Sequence, residues 1–117
     1  MSESQIAIDE FMDALWLEDG LARNTLDAYR RDLTKFADWL ITQEPPVELN
    51  QVLEEHLQGY FAARHSETRA TSANRRLTVL RRYFHWALRE KRITIDPTVR
   101  MQAAKQALRV PKTLTQQ

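Results

Sequence analysis

The sequence predicts an all-α bundle of four to five helices, and three observations carry that prediction. Apolar residues recur at three- and four-residue spacing along almost the whole chain, the mark of helices that bury one face. The 117 residues include only 2 Gly and 4 Pro, too few for the tight turns of a sandwich or barrel. Hydrophobic residues make up 43% and charged residues 28%, enough apolar material for a packed core in one domain.

The first helix carries Ile8, Phe11, Met12 and Leu15 at i, i+3, i+4 and i+7. Glu18-Asp19-Gly20 ends it, because Gly20 can take the left-handed conformation that closes helices. The second helix is expected from about Thr25 to Thr42, with Asn24 as N-cap. Its apolar stripe is Leu26, Tyr29, Leu33, Phe36, Ala37, Leu40 and Ile41. Pro45-Pro46 then breaks the chain. The third helix starts near Asn50 and turns Leu53, Leu57, Tyr60 and Phe61 inward, with Gly59 allowing a close approach. The polar run His65 to Arg69 reads as a loop. The fourth helix is long, about Thr71 to Glu90, capped by Thr71 or Ser72. Ala73, Leu77, Leu80, Phe84, Ala87 and Leu88 form its inner face. Asp96-Pro97 reads as an N-cap followed by proline at the first position of a short helix reaching about Ala104. From Leu108 to Gln117 no period remains, and Val110-Pro111-Lys112 reads as a linker. There is no internal repeat.

The net charge of +1 conceals an asymmetry. Residues 1–60 hold 13 acidic and 4 basic residues, whereas residues 61–117 hold 3 acidic and 13 basic ones, 10 of them Arg. Such a division points to a polyanion-binding surface on one side, with Arg suited to bidentate phosphate contact. At about 100° per residue, Thr71, Arg75, Thr78, Arg82 and Arg89 share the outer face of the fourth helix, with no carboxylate among them. Asn24, Ala28, Arg31 and Lys35 share the outer face of the second. Cations that neutralise phosphate, interleaved with Thr and Asn, fit duplex DNA, and a helix fits its major groove. The competing reading is a solvated face, although such faces commonly mix signs at i, i+4 spacing. Asp9, Glu10 and Asp13 crowd the outer face of the first helix, which is expected to point away from DNA, to solvent or to a basic partner surface. The aromatic residues Tyr29, Phe36, Tyr60, Phe61 and Phe84 read as core, and Trp16, Trp39 and Trp86 as packing from flanking or outer positions.

Catalytic chemistry is thin. Zero Cys excludes disulfides, thiolate metal sites and thiol nucleophiles, and suits a reducing compartment. His56, His65 and His85 form no metal-ligand pair, and no GxSxG, P-loop or GxGxxG motif is present. No metal and no cofactor is expected. The start MSESQIAIDEF has neither a basic region nor a long apolar run, so no signal peptide is expected. No apolar stretch approaches the ~18 residues of a membrane span, so no membrane partner is expected and the location is expected to be cytoplasmic.

Two stretches carry a resemblance. "FMDALWLEDGLARNTLDAYRRDLTKFADWL" and "TSANRRLTVLRRYFHWALREKRITIDP" resemble the N-terminal region of Xer-type site-specific tyrosine recombinases of the phage integrase family, and "RVPKTLT" is similar to the junction before their catalytic domain. The likeness runs from Gln5 to Thr115. It implies a SAM-like, core-binding domain over residues 1–107 and a linker over 108–117 toward a catalytic domain beyond the chain. In that family two domains clamp duplex DNA, and the second supplies the tyrosine nucleophile and its Arg, His and Lys partners. Carried over by motif, Arg23, Asn24, Thr25, Arg30 and Arg31 stand where the second helix meets DNA. Ser72, Asn74, Arg75, Arg76, Thr78 and Arg82 stand on the DNA-facing segment of the fourth. The wheel independently selects Asn24, Arg31, Arg75, Thr78 and Arg82, adds Lys35, and puts Arg30 near the apolar edge.

Arg31, Lys35, Arg75 and Arg82 are thus the expected phosphate contacts, with Asn74 and Arg76 as base-edge candidates. His85-Trp86-Ala87-Leu88 lacks the Arg of the family's HxxR motif, so the chain is not expected to cleave or join DNA. The implied partners are a double-stranded core recombination site and a XerC-like recombinase. The implied process is site-specific recombination that resolves chromosome dimers. Two other readings stand beside it: a helical protein-interaction module, and the same domain in a mobile-element integrase.

Overall fold

A computed structural model describes residues 3–64, 70–99 and 101, with the backbone alone for 70–72. The predicted 65–69 loop, the extension of the fifth helix toward Ala104 and the 108–117 linker lie outside the described residues. Among the described residues, four helices make up the framework: α1 (Glu3–Ala14), α2 (Arg23–Ile41), α3 (Glu54–Arg64) and α4 (Ala70–Arg89). Among the described residues there is no strand, and no helix is long and apolar enough to cross a membrane.

Helix α2 is the central member, packed against α1, α3 and α4. Tyr29, Leu33, Phe36, Ala37 and Leu40 are buried along it, as their spacing predicts. They meet Ile8, Phe11 and Met12 of α1, Leu57 and Tyr60 of α3, and Leu77, Leu80 and Phe84 of α4 in one core. Each large side chain buried in it contributes about 1.5–3 kcal/mol of transfer free energy. Two aromatic groups fix the helix pairs. Phe11 packs edge-on to Tyr83 with ring centroids 5.3 Å apart, joining α1 to α4. Phe36 packs on Tyr60 at 4.8 Å, joining α2 to α3. The ring of Trp39 lies over Gly59, where a Cβ would come 3.4 Å from it, so the close approach expected at this glycine is to a side chain.

Glu18-Asp19-Gly20 ends the first helix as expected, with Gly20 left-handed at φ 62°, although α1 first widens into a π-helical turn over Leu15–Asp19. Several local expectations are corrected. Asn24 is not the N-cap of α2; it lies inside the first turn, and Ala22 caps with extended backbone and no side-chain bond. Thr71 and Ser72 likewise lie within α4, which already includes Ala70. Helix α3 begins at Glu54, after a 3₁₀ turn at Leu49–Gln51, so Leu53 precedes it and is 58% exposed. The amide of Leu53 donates to His56 Nδ1 at 2.9 Å, a histidine serving the end of α3. The buried arc of α4 is broader than its predicted stripe: Val79, Tyr83 and Trp86 are buried too, while Leu88 is exposed. Asp96 behaves as the predicted cap, its Oδ1 accepting from the Thr98 amide at 2.8 Å.

Candidate nucleic-acid interface

The second and fourth helices, each singled out by its cations, pack against each other in the fold. Arg75 meets Asp32 and Arg82 reaches Tyr29, so α4 and α2 run in opposite directions along this seam. Arg31 and Lys35 are exposed on α2 and have no ion pair among the described residues. Lys35 stands one turn beyond Asp32 on the same flank, and so beside the Arg75 end of the seam. Arg23 is exposed at the start of α2 beside a cleft that Trp16 and Asp27 also line. Asn24 is exposed, Thr25 and Asn74 are half-buried, and Thr78 is exposed on α4. The side chain of Ser72 lies outside the described residues.

The arginines of α4 are not bare. Arg75 Nε donates to Asp32 Oδ2 at 2.8 Å, and its Nη2 donates to Oδ1 at 3.1 Å. Only 2% of the Asp32 side chain is exposed, against 43% for Arg75. That hydrogen-bonded carboxylate pushes the Arg75 guanidinium above its ordinary pKa. Arg82 donates to Asp19 at 2.8 Å, with its guanidinium carbon 5.9 Å from the Tyr29 ring centre. Arg89 donates to Glu18 at 3.0 Å, and that contact, with a weaker one to Glu90, raises its pKa. A cleft of about 250 Å³ between the π turn and α4 is lined by Phe11, Leu15 and Trp86 as well as by these two pairs. The outer face of α4 therefore carries no carboxylate of its own, as the wheel predicts, yet neighbouring elements bring three to it.

Arg76 does not belong to the ridge. It is 6% exposed, on the inner side of α4, which removes it from the surface where a base edge would be read. Arg30 turns toward α1 and donates to Asp9 at 2.5 Å, in keeping with its place near the apolar edge. The acidic face of α1 is only partly turned to solvent: Asp9 holds Arg30, Glu10 holds Arg92, and Asp13 is exposed. The charge asymmetry between the two halves is thus spent in part on pairing within the molecule, through Asp32, Asp19, Glu18 and Glu10.

Two features escaped the sequence reading. Arg81 is a half-buried cation on α4 with no ion pair among the described residues. Asp32 is the buried anchor of Arg75, and its position offered a signal, three residues after Tyr29 and four before Phe36 on the buried side of α2. Tyr29 and Tyr60 are packing groups, as expected, and Tyr83 joins them. Tyr60 and Tyr83 are fully buried, and burial pushes both phenols above their ordinary pKa, Tyr83 far above it. The Tyr83 hydroxyl donates to Asn50 Oδ1 at 2.7 Å. Among the described residues no group of three His, Asp or Glu gathers as a metal site; His85 Nε2 lies 3.0 Å from Asp96 Oδ2 alone.

The family model of the phage integrase N-terminal SAM-like domain matches residues 8–91. Tyrosine recombinase XerD of Ralstonia nicotianae is 57% identical over 110 residues, which cover 94% of this chain and 35% of that protein. XerD of Proteus mirabilis is 40% identical over 116 residues, covering 98% of this chain and 36% of that protein. Tyrosine recombinase XerC of Xanthomonas axonopodis pv. citri is 34% identical over 118 residues, covering 92% and 39%. The chain thus spans little more than a third of the length of the curated relatives it matches. With an all-helical bundle whose four helices lie within or across the matched span, the chain belongs to the family of phage integrase N-terminal SAM-like domains.

Proposed function

We propose that this chain is the core-binding part of a XerD-like tyrosine recombinase, recognising duplex DNA in site-specific recombination and chromosome dimer resolution. The observation that supports the reading is the packed pair α2 and α4, with Arg75 and Arg82 of α4 at their seam and Arg31 and Lys35 exposed on α2. The XerD relatives support it independently. In this reading Arg31 and Lys35 are the readiest phosphate contacts, because no carboxylate of the described residues holds them. Arg23, Asn24, Thr78 and Asn74 flank them, and the buried Arg76 supports the helix instead of reading bases. These residues bind and position the site; the strand-transfer chemistry belongs to the remaining two-thirds of such a recombinase, which acts with a XerC-like partner.

Fluorescence anisotropy with a labelled duplex of ~30 bp bearing a Xer core site, against a scrambled duplex across a salt series, tests this. Half of a clamp lacks the other half's phosphate contacts, so dissociation constants in the range ~10⁻⁴–10⁻⁶ M are expected, falling off steeply with salt. The R31A/K35A variant is expected to weaken binding to both duplexes and to flatten the salt slope by about two units. Absence of binding to either duplex at low salt overturns the reading and leaves the basic seam as a protein-contact surface.

A further inference from the structure

Three arginines of α4 recur every seven residues, Arg75, Arg82 and Arg89, and each is met by a carboxylate from another element. The three pairs are not alike. Asp32 is buried and takes Arg75 through two hydrogen bonds, so that arginine is anchored from within. Asp19 and Glu18 hold Arg82 and Arg89 through one bond each, and all four side chains are between 38% and 57% exposed. Water and salt reach both of these pairs, so they exchange readily.

The backbone explains how two adjacent carboxylates serve two distant arginines. Arg82 and Arg89 lie two helical turns apart, about 10 Å along α4. The π turn Leu15–Asp19 and the left-handed closure at Gly20 set the dipeptide Glu18-Asp19 across that interval. A carboxylate, like a phosphate, offers guanidinium a pair of acceptor oxygens, so the two compete for the same donors.

Resting on the DNA reading above, we propose that Glu18 and Asp19 are specificity-determining residues that occupy Arg82 and Arg89 as counter-ions, so that duplex phosphate engages this part of α4 only by displacing them. A loosely seated duplex then meets Arg31, Lys35 and their neighbours, while a fully seated one also gains Arg82 and Arg89 in the C-terminal half of α4. The carboxylates lower affinity for random DNA and leave the anchored Arg75 untouched.

The test compares the E18Q/D19N variant with wild type, using a random-sequence duplex at low salt as the probe. A control variant, E44Q/E55Q, removes two exposed carboxylates that hold no arginine among the described residues and accounts for the change in net charge. E18Q/D19N is expected to bind random duplex about five- to tenfold more tightly, the combined size of two exposed-pair couplings. The control should gain less than about twofold. The gain should vanish in the R82A/R89A background, because the carboxylates act through those arginines. Equal gains in test and control, or a gain that persists without Arg82 and Arg89, overturns the proposal while leaving DNA binding intact. Lack of duplex binding by every one of these proteins overturns the DNA reading itself, and this inference with it.

Discussion

Asp32 is 1% exposed on α2, and both of its oxygens accept hydrogen bonds from the half-exposed Arg75. The two residues are therefore unequal in what their loss leaves behind. Removing Arg75 leaves a buried carboxylate without its cation, whereas neutralising Asp32 leaves a guanidinium that water can reach. The R75A variant is expected to lose about 3 kcal/mol of folding stability and D32N only about 1 kcal/mol, read from urea unfolding midpoints. A loss of DNA binding in R75A would accordingly mix two effects, which is why Arg31 and Lys35 make the cleaner probes. The sequence showed that Arg75 faces outward but not what holds it, because a helical wheel displays one helix at a time. Asp32 belongs to the same limitation: it looks like one more charge on α2 until α4 is laid beside it.

Among the elements, the C-terminus of α4 carries an unusual stop. Lys91 sits at φ 63°, the Arg92 amide donates to the Ala87 carbonyl at 2.8 Å, and the Lys91 amide donates to the Leu88 carbonyl at 3.0 Å. This is the paired-bond helix closure that usually takes glycine at the left-handed position. Replacing Lys91 by Gly removes the Cβ penalty there and is expected to stabilise the fold by about 0.5–1 kcal/mol, measured as a rise in the thermal midpoint. The sequence showed the helices themselves well. The long helices α2 and α4 appear within two residues of their expected ends, because their apolar stripes run for several turns. Their caps were less legible. Asn24, Thr71 and Ser72 all have capping side chains, yet position at a helix end depends on backbone torsion, and they lie one to two residues inside. The π turn after Ala14 left no trace in the pattern, since its five residues still place Leu15 inward.

For the whole molecule, the opposed charges of the two halves serve partly to join them, through Arg75, Arg82, Arg89 and Arg92. Three of these pairs are exposed enough that salt screens them, while the aromatic and aliphatic core is indifferent to it. Raising NaCl from 0.05 to 1 M is therefore expected to cost no more than about 1–2 kcal/mol of folding stability while abolishing duplex binding. Urea unfolding and anisotropy titrations on the same samples separate the two. The bundle and the family were legible because helical periodicity and the run from Phe11 to Leu33 are local properties of the chain. The candidate interface was legible only in outline, because cations can be counted along a sequence but their counter-ions arrive from elsewhere in the fold.

One small contact joins distant parts of the chain. Ser4, 3% exposed near the start of α1, donates through Oγ to Glu48 Oε1 and accepts from the Leu49 amide at 2.9 Å. With the Ser4 amide, which also donates to Glu48 Oε1, that hydroxyl closes a loop of chain that includes the whole of α2. The Leu49 amide stays shielded only while α1 is seated, and α1 leads directly into the turn that carries Glu18 and Asp19. Its deuterium uptake consequently works as a built-in clock for the lifting of the first helix, readable on the native protein without any label.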